Sequence, residues 1–140
     1  MLLVWTGNLS VGVRAFDEDH KRLIRMINEM HVIIGEAKVK GAIEAEEIEI
    51  ALHRLENYFQ YHCLKEEKAM EMAKYGGLEE HKREHGDFLA RIREMTSRFC
   101  RSTDPKNATE IADFMYEWLT SHVHEMDMQY SSTLRGCEID

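Results

Sequence analysis

The chain has 140 residues with a single proline, and 44% of its side chains are apolar. That length and composition fit one domain with a sizeable core, and the abundance of Leu, Ile, Met, Ala and Glu favours helices over sheets. With 18 basic and 26 acidic residues the formal charge is −8, so no nucleic-acid partner is expected, because phosphate binding needs a basic surface.

Residues Met1 to Ser10 have no basic stretch leading into a long apolar run. No segment approaches the roughly 18 apolar residues that span a bilayer, so neither a signal peptide nor a membrane partner is expected. Cys63, Cys100 and Cys137 form no CxxC pair. They read as thiols of a reducing, cytoplasmic setting.

Residues 1–17 read as an extended N-terminal arm, in which Gly7 and Gly12 interrupt regular structure while Trp5, Val11, Val13 and Phe16 offer apolar contacts. Asp17 or Asp19 can cap a first helix over about 18–38, where His20, Ile24, Ile27, His31 and Ile34 form one stripe. Gly35 and Gly41 bracket its expected fraying end. A second helix is expected over about 44–72, with Ile48, Leu52, Leu55, Phe59, His62 and Glu66 on one face, and Gly76-Gly77 as its stop.

The third begins near Leu78 and carries His81, His85, Phe88, Ile92, Met95 and Phe99. Residues 102–105 read as a loop, and Asn107 or Thr109 can cap the last helix. That helix buries Ile111, Met115, Trp118, Leu119 and His122 and runs to about Leu134. Four amphipathic helices with short connections predict an all-α fold, an antiparallel up-down-up-down four-helix bundle. The single domain would span 1–140, with the bundle at about 18–134 and a tail at 135–140.

The eight histidines matter by position. His20, His81 and His85 lie early on odd helices, and His62 and His122 late on even ones. Opposite helix directions therefore bring all five to one end of the bundle. A single inward histidine is ordinarily a hydrogen-bonded core residue. Five of them level with Glu66 would leave many donors and acceptors to satisfy, which a metal does. His53 falls off its stripe, His124 lies about 200° from His122, and His31 sits towards the far end of the first helix.

The motifs Trp5…Val11-Gly12-Val13…Asp17-x-x-His20-Lys21-x-Leu23, His62-x-x-x-Glu66-Glu67-x-x-Met70, His81-x-x-x-His85 and Trp118-Leu119-x-x-His122-Val123-x-x-x-Asp127-x-x-Tyr130 resemble those of the hemerythrin family, the bacterial hemerythrins in particular. The resemblance covers nearly the whole chain. It implies that His81, His85 and His122 hold one iron, that His20 and His62 hold the other, and that Glu66 and Asp127 bridge them together with an oxo or hydroxo group.

Spacing alone would not select Asp127, since five residues from His122 is about 140° on a regular helix and Glu125 or Met126 lies nearer that face. A π-bulge between His122 and Asp127 is therefore expected.

Seven such ligands supply nine bonds and the solvent bridge two more. Two six-coordinate ions then keep one open position, although zinc, nickel or copper would also accept imidazole. The implied function is reversible O2 binding for storage, delivery or sensing, without catalysis, at the iron held by His20 and His62. Cys63, Leu119, Val123 and Trp5 match positions around that pocket.

Where the family usually has Phe after the second-helix histidine, this chain has Cys63, and a shorter-lived O2 adduct is the expected result. An oxidase of the ferritin type predicts Glu-x-x-His on two helices, and the sequence contains none. A redox- or O2/NO-responsive module acting on a separate signalling or O2-receiving partner is the alternative.

Overall fold

The computed structural model describes residues 4–40, 45–102 and 104–134. Four long helices, α1 (Arg14–Lys40), α2 (Ala45–Met72), α3 (Leu78–Arg101) and α4 (Pro105–His122), are followed by a π-helical segment (Val123–Asp127) and a last short helix α5 (Met128–Leu134). Each long helix packs against two neighbours, α1 on α2 and α4, and α3 on α2 and α4. The four close an up-down-up-down bundle. Among the described residues no helix is long and apolar enough to cross a membrane.

The helix starts differ from the sequence expectation for identifiable reasons. α1 begins at Arg14, so Asp17 lies inside its first turn and Asp19 deeper still. The Asp17 carboxylate accepts from the Val11 N–H at 2.8 Å and the Ser10 hydroxyl at 2.6 Å, which ties the arm down beside the helix start. The arm itself contains a 3-10 turn at Gly7–Leu9, and Gly12 takes a φ of +76° that a side chain would resist. Val11, Val13 and Phe16 are buried, while Trp5 is half-buried against the core.

Gly35 lies within α1, and Gly41 and the expected helix start at Glu44 fall outside the described residues. α2 ends at Met72 ahead of the two glycines, and the reversal falls on Lys74, among the described residues the one non-glycine with a left-handed φ, +56°. α4 starts earlier than Asn107 or Thr109 because Asp104 accepts from the Lys106 N–H at 3.0 Å and Pro105 occupies the first turn. Proline there loses no hydrogen bond that the helix needs.

The interior is apolar along most of its length. Phe59 packs edge-on against Phe88 (4.8 Å), Phe88 stacks on Trp118 (3.9 Å), and Trp118 stacks on His122 (4.2 Å). Each buried aromatic of this kind contributes roughly 1.5–3 kcal/mol relative to exposure. The ring series leads from the apolar core to the one region of the interior rich in polar groups.

Candidate metal centre

At that end α1 supplies His20, α2 His62 and Glu66, α3 His81 and His85, α4 His122 and the π segment Asp127. All seven are buried. They form two groups whose donor atoms lie within 4.8 Å of one another: Glu66, His81, His85, His122 and Asp127, and His20, His62, Glu66 and Asp127. Glu66 and Asp127 belong to both. The structure thus assembles every residue expected as a metal ligand. The π segment lies where the His122-to-Asp127 spacing demands it.

Asp127 divides its two oxygens between the groups. Oδ1 lies 2.9 Å from Nε2 of both His81 and His122, and Oδ2 lies 3.3 Å from Nε2 of His20. Glu66 Oε1 stands between His62 (3.2 Å) and His85 (3.4 Å), and its Oε2 accepts a hydrogen bond from the Tyr130 hydroxyl. Tyr130 also stacks on His81, with the rings 5.6 Å apart.

Three observations test whether a metal pair fits. Glu66 Oε1 and both Asp127 oxygens are buried and are approached only by imidazole nitrogens of the same cluster, so two carboxylates are concentrated where bound cations would offset the cost of burying them. The imidazole nitrogens crowd one another as well as the carboxylates: Nε2 atoms are 3.0 Å apart in His20–His62, 3.0 Å in His81–His122 and 3.1 Å in His85–His122. Adjacent ligands on an ion with metal–nitrogen bonds of about 2.1 Å stand about 3.0 Å apart. Finally, nitrogen with bridging carboxylate is a donor set suited to iron and its neighbours. The residues fit.

Three histidines are held from behind by carboxylates that sequence reasoning missed. The Nδ1–H of His62 donates to Asp19 Oδ2 (2.8 Å), that of His85 to Glu67 Oε2 (2.8 Å), and that of His122 to Glu84 Oε1 (2.9 Å). Such partners fix the tautomer with Nε2 free and raise its basicity. The three acids sit beside ligands in the chain, next to His20, Glu66 and His85, yet each serves a histidine of the following helix. Asp19 also receives the Tyr58 hydroxyl (3.0 Å) and the Lys65 ammonium (3.0 Å).

Charge organises the metal-free site. Burial and the neighbouring Asp127 push the Glu66 carboxyl up, and the imidazoles of His62 and His85 outweigh them and hold it below the usual range. Burial likewise opposes ionisation of Asp127, whereas His122, His20 and His81 keep it well below. Burial disfavours a charged His62, but Glu66 and Asp19 raise it to about 10. Burial disfavours a charged His85 too, and Cys63, Glu66 and Glu67 raise it to about 12. Without metal these groups are ion pairs.

Of the residues expected around an O2 pocket, Cys63, Leu119 and Val123 are buried, and the Cys63 thiol lies within hydrogen-bond reach of His85. Burial pushes the Cys63 thiol up. Trp5 is half-buried under the Lys21 ammonium, 4.5 Å from its ring centre. His53 and His124 are exposed, and His31 stands 3.6 Å from Asp113, away from the centre.

Comparison with known proteins agrees with this geometry. Residues 11–134 match the family model described as the hemerythrin HHE cation binding domain. A bacteriohemerythrin of Stenotrophomonas maltophilia is 31% identical over 135 residues, 96% of this chain and 83% of that one. A bacteriohemerythrin of Pseudomonas aeruginosa is 34% identical over 133 residues, 95% and 82% of the two chains. The crystal structure of a wild-type hemerythrin superposes with a TM-score of 0.83 at 24% identity, covering 97% of this chain and all of that one. The chain belongs to the hemerythrin family.

Proposed function

We propose that the chain binds O2 reversibly at a two-iron centre held by His20, His62, Glu66, His81, His85, His122 and Asp127. The observation that carries this reading is the pair of overlapping donor groups, which share both carboxylates and differ by one histidine. On the three-histidine side five protein donors and the solvent bridge would complete six positions. The side of His20 and His62 has one donor fewer, which leaves room there for a small ligand.

When bound, the two ferrous ions supply the electrons and the open position with which O2 combines. The chain's own groups do the rest. Asp127 and Glu66 span the two metal positions, and the Tyr130 hydroxyl fixes the Glu66 carboxylate. Asp19, Glu67 and Glu84 hold three imidazoles with Nε2 inward. Leu119, Val123 and Cys63 wall the pocket with side chains that exclude water, and Trp5 covers the arm side.

The buried histidines together with Glu66 and Asp127 are all assigned to holding metal, and Tyr130 and Asp19 to orienting them, which supports binding over catalysis. The reading is a carrier, store or sensor in the cytoplasm, not an enzyme.

The test is anaerobic loading with ferrous iron, metal counting, and a visible spectrum on admitting and withdrawing O2. Two irons per chain and a band that appears and disappears with O2 are expected. Failure to hold two metals sinks the proposal, and immediate irreversible oxidation moves it to a redox sensor.

A further inference from the structure

On the outer surface between α1 and α2 lies a concavity of about 270 Å³ walled by Arg22, Arg25 and Arg54, with Met26, Ile33 and Ala51 among the apolar residues lining it. Glu29 is the one acid on its rim. Three exposed guanidinium groups in one groove are unexpected on a chain of charge −8. None of the three has a carboxylate within 4.0 Å among the described residues, whereas on α3 Arg93 pairs with Glu56 (3.0 Å) and Arg98 with Glu94 (3.2 Å). An apolar shelf of Val32 and Ile33 continues the groove along α1.

We propose that this groove is a binding site for a small, multiply charged anion of the phosphate or carboxylate class that carries an apolar body. Guanidinium forks match the oxygens of either group with paired, charge-assisted hydrogen bonds. The lining of Met26, Ile33 and Ala51 accepts the remainder of the molecule, and the volume, about 270 Å³, falls just below the range for drug-sized ligands, about 300–1,000 Å³, and suits a smaller one.

The groove is also connected to the metal centre. The Arg22 guanidinium lies over the Tyr58 ring, 4.8 Å from its centre. The Tyr58 hydroxyl donates to Asp19, and Asp19 holds His62. An anion that engages Arg22 competes with its seat on Tyr58, and the disturbance passes along two hydrogen bonds to a proposed metal ligand.

The test uses iron-loaded full-length protein, titrated calorimetrically with inorganic pyrophosphate and, separately, citrate at fixed physiological ionic strength. Saturable binding of at least one is expected, and which one binds tells phosphate from carboxylate. The double variant Arg25→Gln/Arg54→Gln should bind at least about tenfold more weakly, a loss of about 1.4 kcal/mol. Arg14→Gln/Arg83→Gln, remote from the groove, should bind as the parent does. Equal weakening in both pairs, no weakening in either, or no saturable binding at all overturns the site.

The visible spectrum recorded along the same titration should shift in the parent and stay constant in Tyr58→Phe. An identical shift in Tyr58→Phe overturns the connection. Calorimetric binding does not depend on O2, so its outcome is separate from that of the O2 proposal.

Discussion

His122 Nε2 and Asp127 Oδ1 stand 2.9 Å apart, although five residues separate them and a regular helix would set them about 140° apart. The π segment Val123–Asp127 closes that angle by accommodating one extra residue in the turn. Deleting the exposed Glu125 should therefore leave a regular helix with the two side chains four positions apart and still on one face. Two irons per chain and an unchanged helical circular dichroism are expected for the deletion. Inserting one alanine at the same place should instead lose metal. Metal loss in the deletion as well would show that the π geometry itself is required.

Glu84 holds His122 from a half-exposed position, so it can be altered at little cost to the fold. Glu84→Ala should weaken metal retention by about 10–100-fold, the range for lost outer partners of histidine ligands. Competition with a coloured chelator measures it. Glu84→Gln keeps an acceptor and should recover much of the loss. Similar retention in all three proteins would mean that Trp118 stacking alone orients the ring.

The pH response should change sign with metal. In the metal-free chain His62 is raised to about 10 and His85 to about 12, against an unfolded value near 6.5. Raised folded values give stability that is complete below the unfolded value and lost as pH climbs through the folded one. Metal-free protein should thus melt at lower temperature as pH rises from about 7 towards 10. Bound metal requires neutral imidazoles, so loaded protein should lose its metal in acid. Loading at pH 8 should release the protons of His62 and His85, detectable as buffer-dependent heats. Proton-neutral loading would contradict the charged metal-free site.

Cys63 is a small buried side chain that follows His62 in the chain. Cys63→Phe should slow spontaneous oxidation of the oxygenated protein by filling that space, provided the core accommodates the added volume. Decay of the visible band at constant temperature reads it, with a melting curve to detect overpacking. A decay rate equal to the parent's removes Cys63 from the pocket.

His53→Ala and His124→Ala alter exposed side chains that are not among the buried donors of the centre. Both should retain two irons, whereas Glu66→Ala should lose the metal pair. Parallel iron loss in all three would mark general instability in place of specific ligation.

What the sequence made legible follows from periodicity. The 3.6-residue repeat places His20, His62, His81, His85 and His122 on inward faces, and alternating helix direction brings them to one level. Asp127 breaks that period, and it was reached only through a family motif together with the argument that the helix must widen. Glu67 belongs to the second-helix motif without its role being visible there, and Asp19 and Glu84 left no such trace. In sequence each is one charged residue among many, and what distinguishes it is a contact with another helix some 18 to 43 positions away. The early start of α4 was hidden similarly, because Asp104-Pro105 serves equally as a loop and as a helix cap.

The hand-over of carboxylates from each helix to the histidine of the next has a consequence for protein design. Copying seven ligands into another bundle would transplant the centre incompletely, because three imidazoles would rotate freely and their tautomers would be unassigned. A faithful graft needs ten residues, and it needs α1 to α4 in this cyclic order, since a helix placed out of turn presents its acid to the wrong neighbour. The chelating cluster and the topology of the bundle are in that respect a single inherited unit.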